Sequence, residues 1–376
     1  MKNFFPPHRF SSFHILSLSL ALILAACSSS DFVPDNITIP QPADAWERAT
    51  PSSVGFDEAA LDAITDDIRQ GEFGPMDSVL IARNEKLVYE NYPSGGTRIH
   101  PIYSVTKSVT SLLVGIALDR GDLDSLQSPV LSFFPEYTSL ANPHPWKEQM
   151  TVEHLLQMRA GYLWDELSAS YNDAANPTQA LTASPDWMKF MLDQPMDAQP
   201  GETFVYNSGV TMLLSGILEK ATGMTVERYA NQHLFQPLGI LYYDWTTTPR
   251  GLSNTGWGLD MQPEDMAKIG QLCLDNGDWR GTRVVSANWL DQSIQAHSRF
   301  QNGGGYGYQW WLLAQPQTGD PVGLLPYAHG WGSQHIFFDE TRDMVIVTTA
   351  SNFAVDATWR IPALVERIQA ALVSDP

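Results

Sequence analysis

The two ends of the globular sequence carry the same pair of building units in mirror order. Near the start, Leu61, Ile64 and Ile68 fall at helical spacing within Phe56–Arg69, and the apolar runs Ser78–Ala82 and Leu87–Tyr89 follow, joined by Arg83-Asn84-Glu85-Lys86. Near the end, the apolar runs His335–Phe338 and Met344–Thr349 flank a turn over Asp339–Asp343, and a helical pattern closes the chain over Ile361–Leu372. Neither two-stranded hairpin is stable alone in water, so the predicted architecture joins both in one antiparallel sheet covered by the terminal helices. Between them run helical patterns such as Val152–Met158, Thr211–Thr222 and Val226–Leu234, broken by loops rich in Pro, Gly and Trp. The expected class is α/β, of the α+β type: an antiparallel sheet flanked by helices with an inserted all-helical lobe. Residues 46–125 plus 262–376 form the predicted sheet-and-helix lobe and residues 126–261 the helical lobe, with a cleft between.

The first 45 residues have another character. Lys2 and Arg9 precede an apolar run from Ile15 to Leu24, too short to span a bilayer comfortably as a permanent helix, and it reads as a cleaved export signal. The run ends in Leu24-Ala25-Ala26-Cys27, which resembles the lipobox of bacterial lipoproteins, where the Cys thiol is acylated and becomes the new N-terminus. Residues 1–26 are therefore predicted to be a lipoprotein signal peptide, Cys27 the lipidation site, and residues 27–45 a flexible tether to the membrane. Ser28 after the cysteine suggests, by analogy with enteric bacteria, the outer membrane of the cell envelope, facing the periplasm. With Cys27 acylated only Cys273 remains, so no intrachain disulfide can form, and Cys273 is expected to be a buried apolar filler. A net charge of −20 without any basic cluster repels phosphate backbones and argues against a nucleic-acid partner.

Three short constellations can carry chemistry. Ser104-Val105-Thr106-Lys107 opens a segment in which Val105, Val109, Leu112, Leu113 and Ile116 make an apolar helical stripe. A spacing of three places Ser104 and Lys107 one turn apart on one side, so a neutral lysine amine can take the serine proton. The spacing alone is weak, since a solvated pair on an amphipathic helix has the same pattern, yet this helix is otherwise unusually apolar. Tyr206-Asn207-Ser208 follows the turn Pro200-Gly201-Glu202 and precedes a helical pattern that stops at Gly223. Its tyrosine can cross a cleft, where a nearby Lys107 charge would favour phenolate and proton shuttling; equally, Asn207 or Ser208 can serve only as a helix cap. His329-Gly330-Trp331-Gly332 stands at the expected entry to the strand His335–Phe338, where small residues let a carbonyl approach the backbone. A Gly-rich turn with a surface histidine would look the same.

In this order the three motifs resemble those of the serine β-lactamases, penicillin-binding proteins and their esterase and amidase relatives. The likeness runs from about Trp46 to Val373 and is nearest to class C β-lactamase-like hydrolases, including family VIII esterases and 6-aminohexanoate-dimer hydrolases. Thr151-Val152-Glu153-His154-Leu155-Leu156, Gln236-Pro237-Leu238-Gly239 and Tyr306-Gly307-Tyr308-Gln309-Trp310-Trp311 look like further landmarks of that group. The resemblance implies a β-lactamase/transpeptidase-like fold and an acyl-enzyme on Ser104. It implies Lys107 as activator, Tyr206 as proton donor, and an oxyanion site made by the N–H of Ser104 with the third motif, His329, Gly330 and above all Gly332. Trp164, Trp310, Trp331, Asn207 and Ser208 are candidate substrate-binding residues. Two departures stand against β-lactam hydrolysis: Ser208 where class C β-lactamases carry Asn, and His329-Gly330-Trp331 where they carry Lys-Thr-Gly. The expected partner is a small-molecule ester or amide, with esters first. A β-lactamase, a D-aminopeptidase or other peptidoglycan-acting enzyme, and a non-catalytic binding protein of the same fold are the rivals. There is no Gly-x-Ser-x-Gly elbow, His-Glu-x-x-His or Cys-x-x-Cys, and the nine histidines are scattered, so no metal or other cofactor is expected.

Overall fold

The computed structural model describes residues 46–93, 95, 99–315, 323–353 and 360–373; the predicted signal peptide, Cys27 and the tether lie outside the described residues. The strands Met76–Arg83 and Lys86–Asn91 are joined by Asn84 and Glu85, whose φ values of 51° and 57° suit a two-residue turn matching the strand twist. Met344–Ala350 pairs antiparallel with Met76–Arg83, Val79 facing Thr348 and Arg83 facing Met344, so the terminal hairpins do share one sheet. Its nine strands lie in the order Glu47–Arg48, Lys86–Asn91, Met76–Arg83, Met344–Ala350, Gln334–Asp339, Gly323–Gly330, Trp311–Gln315, Gly305–Tyr306 and Ser298–Arg299. All pairs are antiparallel except the two-residue edge strand Glu47–Arg48, which runs parallel to Lys86 and Leu87.

Alternation along the central strands divides the core in two. Val79, Ile81, Phe337 and Ile346 face the terminal helices Glu58–Gln70 and Arg360–Ala370. Leu80, Ala82, Ile336, Phe338, Val345 and Val347 face the opposite way, onto the helices Val105–Arg120 and Pro263–Leu274. Because both faces are covered, these strands read as continuous apolar runs rather than as alternating ones. Cys273 is buried in the second cluster, as expected.

The middle of the chain supplies the 15-residue helix Ser208–Thr222, capped by the Asn207 side chain, which accepts from the Gly209 and Val210 N–H groups, and closed by Gly223 at φ 68°. It is not all helical. Tyr243–Trp245 and Leu259–Met261 form a small sheet with His100–Pro101, which fixes the chain just ahead of Ser104. One expectation is corrected here: His329 and Gly330 end the strand Gly323–Gly330 instead of opening the next one, and Trp331–Ser333 is the turn between the two. Pro326 and the flanking glycines obscured that strand in the sequence.

Candidate active site

Val105–Arg120 is buried on every side from Val105 to Ala117, packed between the sheet and the helix Ser208–Thr222. Ser104 sits at its N-cap position, half-buried at the cavity edge. Tyr103 before it adopts φ 46°, a left-handed conformation unfavourable for a bulky residue. The turn is held by Thr106, whose N–H (3.0 Å) and hydroxyl (2.6 Å) both donate to the Tyr103 carbonyl.

Lys107 is 1% exposed, and its Nζ lies 2.9 Å from Ser104 Oγ, 3.0 Å from Ser208 Oγ and 2.7 Å from the Gly256 carbonyl. Burial lowers its pKa to about 8, against an opposing pull from Glu166. The partners assign the hydrogens of the neutral amine. The Gly256 carbonyl only accepts; Ser208 Oγ spends its own hydrogen on Glu166 Oε1 (2.7 Å) and so also accepts from lysine. Two amine hydrogens are thus used, and the lone pair is left for the Ser104 hydroxyl.

Glu166 escaped the sequence reading, because an acidic residue in an aperiodic loop carries no pattern. It is 1% exposed, and four donors converge on it: the Ser208 N–H (2.6 Å) and hydroxyl, Trp164 Nε1 (2.7 Å) and the Tyr171 hydroxyl (3.0 Å). Tyr206 is buried with its ring 5.1 Å from Lys107 Nζ, and it lines the same cavity as Ser104. The expected phenolate is corrected. Burial, with Glu166 adding to it, drives the Tyr206 pKa well above its ordinary value, so the group stays a proton donor.

The third motif closes the site. A Cβ on Gly330 would stand 2.2 Å from the Ile102 carbonyl, so only glycine lets this strand end lie against the segment that leads into Ser104. Gly332, at φ 84°, lines a cavity of about 430 Å³ together with Ser104, Tyr206, His329, Trp331 and Glu166. A second cavity of about 200 Å³ also reaches Ser104, and Tyr171 and Trp331, in edge contact at 5.6 Å, border both.

The structure brings together Ser104, Lys107, Tyr206, Ser208, His329, Gly332 and Trp331 as predicted, with Gly330 behind them. Three candidates are corrected. Trp310 is fully buried against Phe338 and lines neither cavity; its neighbour Trp311 faces the larger one and packs on Tyr206. Trp164 is buried and acts through its hydrogen bond to Glu166. Asn207 spends its side chain on the helix cap.

Residues 64–365 match the family described as Beta-lactamase. The chain is 27% identical over 339 residues, 82% of either protein, to a 6-aminohexanoate-dimer hydrolase of Paenarthrobacter ureafaciens. Among solved structures, a family VIII carboxylesterase superposes with a TM-score of 0.65 at 16% identity, over 84% of this chain and 97% of that one. An octameric penicillin-binding protein homologue from Pyrococcus abyssi gives 0.62 at 20% identity, over 82% and 78% respectively.

Proposed function

The chain belongs to the beta-lactamase family and is a serine hydrolase of that fold, and from this premise we propose that it cleaves small-molecule esters and, more slowly, linear amides through an acyl-enzyme on Ser104. The observation that carries the reading is the 2.9 Å contact between the buried Lys107 amine and the Ser104 hydroxyl. Ser104 Oγ attacks the carbonyl carbon as its proton passes to Lys107, and the N–H groups of Ser104 and Gly332 hold the oxyanion. Collapse of the tetrahedral species expels the leaving group, which takes a proton from Tyr206; the phenol is restored from the Lys107 ammonium. Water then attacks the acyl-enzyme, giving up its proton to the same groups, and releases the acid and free Ser104.

Esters come first because an alkoxide needs less proton help to depart than an amine. β-Lactams come last. His329 stands where class C β-lactamases place a cationic lysine, and burial and the nearby Lys107 push its pKa down to about 4, which leaves it neutral at pH 7. Trp331 adds bulk where that pattern has glycine. The amide-cleaving name of the Paenarthrobacter relative supports the amide arm.

The test is a panel of p-nitrophenyl acyl esters, nitrocefin, a D-amino-acid amide and a 6-aminohexanoate dimer, run with wild type and Ser104→Ala. Ester turnover abolished in Ser104→Ala is expected, with a fluorophosphonate probe labelling Ser104. Nitrocefin or the D-amino-acid amide ahead of every ester would replace this reading by a β-lactamase or a D-aminopeptidase, and no turnover at all by a binding protein. We also propose export and acylation at Cys27, supported by the apolar run that ends there. An unacylated mature N-terminus on protein recovered free of membranes would overturn the anchor.

A further inference from the structure

Behind His329 lies a chain of hydrogen bonds that no catalytic step uses. His329 Nδ1 is 2.8 Å from His335 Nε2, His335 Nδ1 is 3.0 Å from Thr348 Oγ1, and the Thr348 hydroxyl donates to the Ser333 carbonyl at 2.9 Å. A carbonyl can only accept, and the threonine has one hydrogen to give. Toward His335 the Thr348 oxygen therefore accepts, so the hydrogen of His335 sits on Nδ1. His335 is 4% exposed, stacked on Phe337 and close to Tyr327, with no carboxylate among its partners. Both rings are held neutral by burial, His335 well below its ordinary pKa. A neutral His335 with hydrogen on Nδ1 leaves Nε2 bare, and His329 Nδ1 must donate to it. The remaining nitrogen of His329 is then a bare acceptor, and among the described residues no group of the chain bonds to it, while the ring lines the larger cavity.

We infer that His335 and Thr348 lock His329 so that it offers a lone pair to the cavity, and that the enzyme thereby selects substrates carrying a hydrogen-bond donor near the scissile carbonyl. This rests on the serine-hydrolase reading above. The other wall points the same way: among the described residues lining this cavity, Glu166 is the one charged side chain, and no lysine or arginine is present to receive a carboxylate. The favoured substituent is a primary amide, a hydroxyl or an ammonium group; a carboxylate meets the His329 lone pair and the negative charge of Glu166, with no cation on the cavity wall to offset them, and is rejected. His329 is a specificity residue here, and His335 and Thr348 are positioning residues that act through it.

Two measurements test this. In the first, esters that differ only in a terminal carboxamide, N,N-dimethylcarboxamide or carboxylate, placed on the acyl or the alcohol side, are compared by kcat/KM. The carboxamide should lead the dimethylcarboxamide by about tenfold on one side of the bond, the size of one good hydrogen bond, with the carboxylate last. Thr348→Val frees His335 to change tautomer and should collapse that ratio while turnover of unsubstituted esters persists. In the second, ¹⁵N-histidine NMR of the wild-type protein, with signals assigned through His329→Gln and His335→Gln, should show both rings neutral with hydrogen on Nδ1. Hydrogen on Nε2 of His329, a protonated His329 at neutral pH, or a carboxylate ester as the best substrate would overturn the inference. Should every ester be inert, the hydrolase reading falls, and the histidine spectrum alone decides the tautomer.

Discussion

Two lysines of this chain share an unusual environment and differ in their neighbours. Lys107 and Lys147 are each 1% exposed, each lies over a tyrosine ring (Tyr206 at 5.1 Å, Tyr162 at 5.8 Å), and burial lowers the pKa of each to about 8. Lys147 Nζ donates to the Leu192 carbonyl at 2.7 Å and lines neither cavity beside Ser104. The charge that opposes this shift is that of Asp193. Lys107 has a hydroxyl in front of its lone pair and a cavity beyond that hydroxyl. A neutral amine is therefore a matter of burial, which both residues have, while a general base also needs a proton to take. The sequence states the same distinction: three residues before Lys147 stands His144, and three before Lys107 stands Ser104.

The largest expected effect sets the two apart directly. Lys107→Met should lower kcat/KM for activated esters by about 10³-fold, within the usual range for a positioned general base. Lys147→Met should leave kcat/KM within about twofold, because its amine meets no group that reacts. The wild-type kcat/KM should rise with pH through a limb near 8, where the Lys107 amine becomes neutral, and that limb should survive in Lys147→Met. A comparable loss in both variants would erase the contrast and make burial alone the operative property.

Stability should show what the two have in common. An unfolded lysine titrates near 10.4, so between pH 8 and that value the unfolded chain binds more protons than the native one, and stability rises with pH across the window. Lys147 should contribute about 3 kcal/mol at most to that rise. In Lys147→Met the rise should shrink, read from urea midpoints at pH 7.5 and pH 10. Equal rises in wild type and variant would mean that Lys147 keeps an ordinary pKa in the folded protein.

What the sequence made legible follows the physics of pattern. The terminal units were visible because periodicity marks apolar helix faces and strand runs; the strand Gly323–Gly330 was hidden because Pro326 and its glycines break the period. Ser104 and Lys107 were visible because one helical turn sets their spacing. Glu166, Tyr171 and Thr348 reach the site through tertiary packing, and His335, though inside a predicted strand, shows its role only through a cross-strand pair with His329. Trp310 and Trp311 show the limit of composition: of two adjacent aromatics one is buried against Phe338 and the other lines the cavity, and only the structure says which.

The smallest expected effect asks whether the acid behind each lysine matters. Glu166 acts on Lys107 through Ser208, and its charge raises the Lys107 pKa, so Glu166→Gln should move the kcat/KM limb to lower pH. A glutamine also brings an NH₂ group into a pocket where the Ser208 N–H, the Ser208 hydroxyl, Trp164 Nε1 and the Tyr171 hydroxyl all donate. With that NH₂ in the place of Oε1, the Ser208 and Tyr171 hydroxyls, which both bond to that oxygen, must turn their own hydrogens away and accept from it. With Ser208 no longer bound to spend its hydrogen on residue 166, its oxygen need not accept from Lys107, and the lone pair of the amine loses its fixed aim at Ser104. The expected loss in kcat is about tenfold, well short of the loss in Lys107→Met, since the base itself remains. Asp193→Asn, behind Lys147, should change neither kcat nor the limb. An unshifted limb in Glu166→Gln would show that Lys107 is tuned by burial alone, and the two lysines would then differ only in the hydroxyl that one of them faces.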